Sequence, residues 1–340
     1  MAELYVSSPT THILPLHLSA PMTFVDILEN HTSSQDRRAT SLERLEMVRS
    51  AFSKEPLFKK NKKICVFAAG SLGRLDSGVT SDLDVFVTTT GGDVGRLREI
   101  EVFSSIIKVN EALQFPALSN DGQFLKVFDI PGHEKKVGSA KDDNLNWFTT
   151  RMLFLLESNY LCNEKAYHQH KTRILKLYFR DSTQDGFRPI FLLNDILRYW
   201  RTVCLNYEQA RSIPGKSWKK RNFNLKFSRL LSVFGTILPL MLTENVTTEK
   251  IEELSSIRPM DRLAMGLDLL KGADDLKPRF LDFLENYEHF LKIKESMDFE
   301  SVTDEIRNDL KSKAILVAEF INDAVTHASV PKEFRRYLII

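Results

Sequence analysis

Residues 67–87 read FAAGSLGRLDSGVTSDLDVFV, and the rest of the chain is best read outward from them. The left flank begins at Ile64 (ICVFAA) and is short, apolar and rich in β-branched and aromatic residues, which predicts a strand. Residues 70–81 carry three glycines and read as a turn and loop. The right flank, DLDVFVTTT from Asp82, predicts a second strand. On a strand, Asp82 and Asp84 share one face, while Leu83, Val85 and Val87 point to the other and anchor it.

Upstream, residues 1–37 are rich in Ser, Thr, His and Pro and read as an irregular arm or cap. Residues 41–54 place Leu42, Leu45, Met47, Val48 and Phe52 at near-helical spacing, and Thr40 with Glu43 resembles a capping box, so one helix is expected there. Downstream, Gly91-Gly92 ends the second strand. A helix is expected over 94–114, with Leu97, Ile100, Phe103, Ile106, Ile107 and Leu113 as its apolar stripe. A third strand is expected over 123–130, closed by Pro131-Gly132.

The pattern then changes to helices alone. Asp142, Asp143 or Asn144 can cap one running through Glu157. Others are expected near 164–180, 189–210, 222–242, 259–271, 276–294 and 303–327. The expected fold class is an α/β domain, a small mixed sheet with flanking helices, followed by a mainly α-helical domain. Residues 1–60 form the arm and helix, 61–140 the α/β domain and 141–340 the helical domain.

Bulk properties narrow the function classes. The 340 residues are 43% hydrophobic and 27% charged, with a net charge of +2. That balance belongs to a globular protein, and any basic site must be local. Cys65, Cys162 and Cys204 are odd in number and far apart, so neither a disulfide framework nor a zinc site is indicated, and a reducing, cytoplasmic setting is expected. The N-terminus lacks the pattern of a signal peptide. The longest apolar stretch, Leu230 to Leu242, is too short to span a bilayer and is interrupted by Gly235 and Pro239; it reads as a buried helix pair, and no membrane partner is expected.

The chemistry sits in 67–87. Gly70 permits a sharp turn after a strand and close approach to a ligand. Ser71 can bond a phosphate oxygen through its hydroxyl and its N–H. Backbone N–H groups opening a following helix favour anions. Arg74 can neutralise part of a triphosphate, although a lone loop arginine is as readily a surface residue. Two neighbouring carboxylates repel unless a cation lies between them. Mg²⁺ takes few carboxylates and completes its shell with substrate phosphates, so Asp82 and Asp84 suit a Mg²⁺–nucleoside triphosphate.

Here the chain resembles a family. Ala69-Gly70-Ser71, ten intervening residues, then Asp82-Leu83-Asp84-Val85 is similar to the motif of the polymerase-β-like nucleotidyltransferases. The form GSLGR…SDLD looks closest to bacterial signal-protein uridylyltransferases and related proteins. Residues 148–158 (FTTRMLFLLES) and 191–208 (FLLNDILRYWRTVCLNYE) are similar to the helical substrate-binding region that follows the catalytic domain there, so the resemblance spans roughly residues 61–240. It implies that Gly70 and Ser71 contact the triphosphate, that Asp82 and Asp84 bind metal, and that NMP passes to a hydroxyl: a protein side chain by preference, an RNA end or a second nucleotide otherwise. The family pattern has a third carboxylate on a later strand. Asp129 is the candidate for it and for the general base, with Glu134 a weaker one. Without either, a nucleotide-sensing or partner-binding module is the alternative.

Other residues are weighed against plainer roles. Asp76 and Thr80 read as turn formers, and Ser81 as a local cap. Residues 211–229 contain seven basic residues and no acidic one; contact with phosphates or an acidic acceptor stands against a solvated loop. Trp218 there can stack on a base, and Lys226 and Arg229, one turn apart, can face a cleft together. Asn194, Arg198 and Arg201 share a helix face suited to a buried polar network. His133, His168 and His170 have no partners at metal spacing and are expected at the surface.

Overall fold

The computed structural model describes residues 22–118, 122, 125–182, 187–211, 218–299 and 301–339. Four strands form one sheet in the order β3-β2-β1-β4: β1 is Ile64–Ala68, β2 Val85–Thr89, β3 Val127–Asp129 and β4 Asn159–Cys162. β1 runs antiparallel to β2, with Val66 opposite Val87, and antiparallel to β4; β2 runs parallel to β3, with Val87 opposite Val127. The mixed character is as expected. The fourth strand is not: β4 comes from the stretch read as purely helical, so the sheet crosses the expected boundary near residue 140. Four residues are too few to display alternation. Positions 123 and 124 of the expected third strand lie outside the described residues.

Both faces of the sheet are covered, and every residue of β1 and β2 is buried. Ile64, Val66, Ala68, Val85 and Val87 pack with Leu45, Val48 and Phe52 of helix Thr32–Lys54 and with Val102, Ile106 and Val109 of helix Arg96–Ala112. The opposite residues, Cys65, Phe67, Phe86 and Phe128, belong to a second core continuous with the helical region. Phe67 stacks on Phe86 and on Phe154 at 5.6 and 4.4 Å. The α/β layer and the helices therefore share one hydrophobic core.

The N-terminal reading is corrected in part. Helices Phe24–Asn30 and Thr32–Lys54 occupy most of the expected arm, whereas residues 1–21 lie outside the described residues. Thr40 sits mid-helix and donates its hydroxyl to Asp36 O at 3.0 Å. A hydroxyl within a helix takes this route when its own backbone is already paired. The capping box is Thr23 with Asp26. In helix Arg96–Ala112 the buried face is Val102, Ser105, Ile106, Val109 and Asn110, while Leu97, Ile100 and Ile107 are exposed.

The apolar stretch at 230–242 is one helix rather than a pair, continuous with a π-helical turn, Leu225–Arg229. Gly235 allows close approach: a Cβ there would stand 2.8 Å from Pro259 O of the neighbouring helix Pro259–Asp268. Among the described residues one helix, Lys219–Leu242, is long and apolar enough to cross a membrane, and 72% of its apolar window is buried inside the protein. That burial is what a core helix shows.

Candidate functional site

β1 ends at Ala68, and the Ala69 N–H donates to Asp84 O at 2.9 Å, tying the turn to the approach of β2. Gly70 has φ +63 and opens the short helix Gly70–Arg74. A Cβ on it would run into the Asp84 carboxylate. The glycine is thus required twice, by the left-handed backbone and by the acid lying against it. Ser71 follows, buried at 6% exposure. Asp82 and Asp84 lie just before β2 rather than within it, in extended chain, with Leu83 between them buried in the sheet core. The glycine turn and Asp84 therefore meet.

The two acids repel one another. Burial first, and then the charge of Asp82, push the Asp84 carboxyl above the ordinary carboxylate range, against the pull of Arg229, Arg74 and Lys294. Lys294, near the end of helix Leu276–Ser296, is itself lowered to about 8, chiefly by burial. Arg229 is lowered to about 10, again chiefly by burial.

Beside Asp82 lies a cavity of about 160 Å³, whose lining includes Thr80, Ser81, Lys220 and Lys294. Its loop is held from two sides. The Val79 N–H donates to Glu295 Oε1 at 2.7 Å, and Ser77 N–H to Ser41 Oγ at 2.9 Å. Arg44 donates to Ser81 O at 3.0 Å, and Arg37 bonds both Glu288 and Glu295. The expected basic stretch reaches this cavity through Lys220. Positions 212–217 and the Trp218 side chain lie outside the described residues.

Arg74 and Asp76 depart from expectation. Arg74 is 5% exposed and donates from Nε to Asp76 Oδ2 at 2.9 Å and from NH1 to Glu157 Oε2 at 2.9 Å. Its charge is engaged inside the protein. Asp76 is not a simple turn former: it also accepts from the Tyr287 hydroxyl at 2.6 Å. Glu157, 2% exposed just past helix Trp147–Leu156, gathers Arg74, Arg229 and the Ser232 hydroxyl. Arg229 thus stands at the site, at the end of the π-helical turn, bonded to Glu157 while electrostatically coupled to Asp84. Lys226, three positions earlier, makes no ion pair among the described residues.

Asp129 is not brought to the acid pair. The parallel register sets it beside Thr89, five residues along β2 from Asp84, roughly 17 Å away at strand rise. There it caps helix Ile130–Glu134, accepting from Gly132 N–H at 2.9 Å. Glu134 pairs with Arg173. Among the described residues no three His, Cys, Asp or Glu side chains converge as a metal-ligand group.

Of the helix-face trio, Arg198 joins a polar network, 3.4 Å from Asp143 Oδ1 and over the Phe148 ring at 3.6 Å, while Asn194 and Arg201 are exposed. The network's buried centre is Arg151 with Asp142, Asp195 and Tyr178. Two of the three histidines are inside: His133 lies 3.6 Å, ring to ring, from Trp147, and His170 bonds Thr88 Oγ1 at 2.9 Å. Burial lowers His170 to about 4. His168 is half exposed near Glu252.

Sequence reasoning passed over Lys294, Arg44 and Glu157. The only signal for Lys294 is its helical phase, seven residues after the buried Tyr287. Comparison of the chain with protein-family models, with curated proteins and with solved structures finds no match.

Proposed function

We propose that the protein binds a nucleoside triphosphate at the Gly70 turn and the Asp82–Asp84 pair and transfers its NMP to a hydroxyl, releasing pyrophosphate. The observation that carries this reading is the contact between Gly70 and the Asp84 carboxylate, with Asp82, two residues before Asp84, lining a cavity together with Lys220 and Lys294. An acid pair flanked by one half-buried and one exposed cation, Lys294 and Lys220, suits a ligand with both a metal ion and phosphates.

Two carboxylates supply hard oxygen donors and leave positions for phosphate oxygens and water, which is the donor set Mg²⁺ accepts. Bound there, the ion would supply Lewis-acid polarisation of the transferred phosphate. The chain's own residues do the remaining work. Lys294 and Lys220 attract the polyanion. Ser71, after the turn, offers its hydroxyl and N–H. Glu157 keeps Arg74 and Arg229 in place, so Arg74 acts on the site through its field rather than by contact. At about 160 Å³ the cavity is below the roughly 300–1,000 Å³ that holds a whole small ligand. It suits part of a nucleotide, the rest lying across open surface. A protein side chain is the preferred acceptor, with an RNA end or a second nucleotide as the others.

The placement of Asp129 favours a second reading. Asp76 and Glu295 also line the cavity beside Asp82, but Arg74 and Tyr287 engage the first and Arg37 and the Val79 N–H the second. With Asp129 elsewhere and no three-ligand group among the described residues, the second reading is a nucleotide-sensing module, which needs no general base. One experiment separates them. The full chain is incubated with each labelled NTP, Mg²⁺ and cell lysate, and the products are resolved on gels. Transfer is expected to need Asp82 and Asp84, with Asp82→Asn and Asp84→Asn each reducing it at least 100-fold while the fold persists. Nucleotide binding without transfer under any condition would establish the sensor. Absence of both would refute the site.

A further inference from the structure

A second cavity, much larger and remote in chemistry from the acid pair, lies among the C-terminal helices. Its volume is about 660 Å³, within the range of sites that enclose a small ligand. Trp200 of helix Ile190–Arg211 and Phe234 of helix Leu230–Leu242 meet edge to face at 5.5 Å on one side. Ile321 and Val325 of helix Asp304–Thr326 form another wall, and Leu338 of helix Lys332–Ile339 a third. Apart from Asn322 and Thr326 the uncharged walls are aromatic and aliphatic, so water over most of the surface gains few hydrogen bonds and an apolar chain displaces it favourably.

The charge on the lining has one sign. Lys332, Arg335 and Arg336 all come from the last helix, and among the described residues no acidic side chain lines the cavity. Arg335 donates to Thr326 O at 3.3 Å, whereas Lys332 and Arg336 make no ion pair among the described residues. Three cations at an apolar cavity form a receptor for a molecule with an apolar tail and an anionic head. Guanidinium groups match carboxylate and phosphate in geometry as well as charge.

We propose that this cavity binds an amphipathic anion, an unbranched apolar chain ending in a carboxylate or a phosphate. The site is independent of the nucleotide reading: it shares no lining residue with the cavity beside Asp82.

Isothermal titration calorimetry of the full chain tests it, using octanoate, decanoate, dodecanoate, decyl phosphate and decanol below their aggregation limits. Decanoate or decyl phosphate is expected to bind one to one, and comparing them identifies the head group. Affinity should rise about fourfold per added methylene, the value of burying one such group. Decanol should bind at least tenfold more weakly than the better anion. Lys332→Gln with Arg336→Gln, both at exposed positions, should remove most of the anion's advantage and leave decanol unchanged. Ala318→Trp, which fills the cavity from another exposed position, should abolish binding of both, with circular dichroism confirming the fold. No saturable binding, equal affinity for decanol and both anions, or binding that survives Ala318→Trp would each overturn the proposal.

Discussion

Asp84 is held in a position that disfavours its own charge. Its carboxyl lies against Gly70, is half-buried, and feels the charge of Asp82, and the nearby cations offset this only in part, so its folded-state pKa stands above the ordinary value. For an acid this means that the folded protein holds the proton more tightly than the unfolded chain. The penalty is absent at low pH, where the group is neutral in both states, grows as pH rises past the ordinary carboxylate pKa, and is complete above the raised one. Asp84→Asn should therefore raise the Tm of the metal-free protein at pH 7.5, and the gain should vanish as pH falls below 4. Thermal melts across pH 3–8 check this; a loss of stability at pH 7.5 would mean that the carboxylate is a net structural anchor. A site that is destabilising until its ligand arrives is a common cost of function.

Among the elements, three helices meet around the buried charge of Glu157. Helix Trp147–Leu156 ends at this residue, the Gly70–Arg74 turn brings Arg74, and the π-helical turn Leu225–Arg229 brings Arg229. A π turn widens the helix by one residue, and such turns recur at functional sites. Arg262, fully buried, caps the same helix end by donating to the Leu155 and Leu156 carbonyls. Removing Glu157 leaves two arginines without their shared acceptor. Glu157→Ala is expected to destabilise the protein by about 3–5 kcal/mol in urea unfolding, the range for breaking a buried ion pair from one side. A change below about 1 kcal/mol would show that the arginines find other partners.

Across the whole molecule, the site depends on elements far apart in the chain. Lys294 reaches Asp82 and Asp76 from a helix that begins at Leu276, while Arg37 and Arg44 come from the N-terminal helix. Because burial lowers Lys294 to about 8, its charge is lost as pH rises through that value. Affinity for a Mg²⁺–NTP, measured by fluorescence titration, should therefore weaken above pH 8. Lys294→Arg should remain tight to pH 10, whereas Lys294→Gln should be about tenfold weaker than wild type at pH 7, the loss of one charge-assisted contact, with the difference closing above pH 8. A wild-type affinity constant from pH 7 to 10 would remove Lys294 from the site.

Strands β1 and β2, the glycine turn and the spacing of the acid pair were legible from residues 64–90 because each follows from local pattern: short apolar runs rich in β-branched and aromatic residues, glycine punctuation, and an i, i+2 spacing. Most long helices were legible for the same reason. Four features were not: β4, the inward turn of Arg74, the distance of Asp129 from the acids, and the arrival of Lys294. Each depends on which strand pairs with which and in what register, or on which helix end packs near the turn. Those are relations between residues far apart in the chain, set by burying a shared core, and local periodicity does not encode them. The chain's local chemistry thus names the ligand class to test, and its folded core chooses which charges surround it.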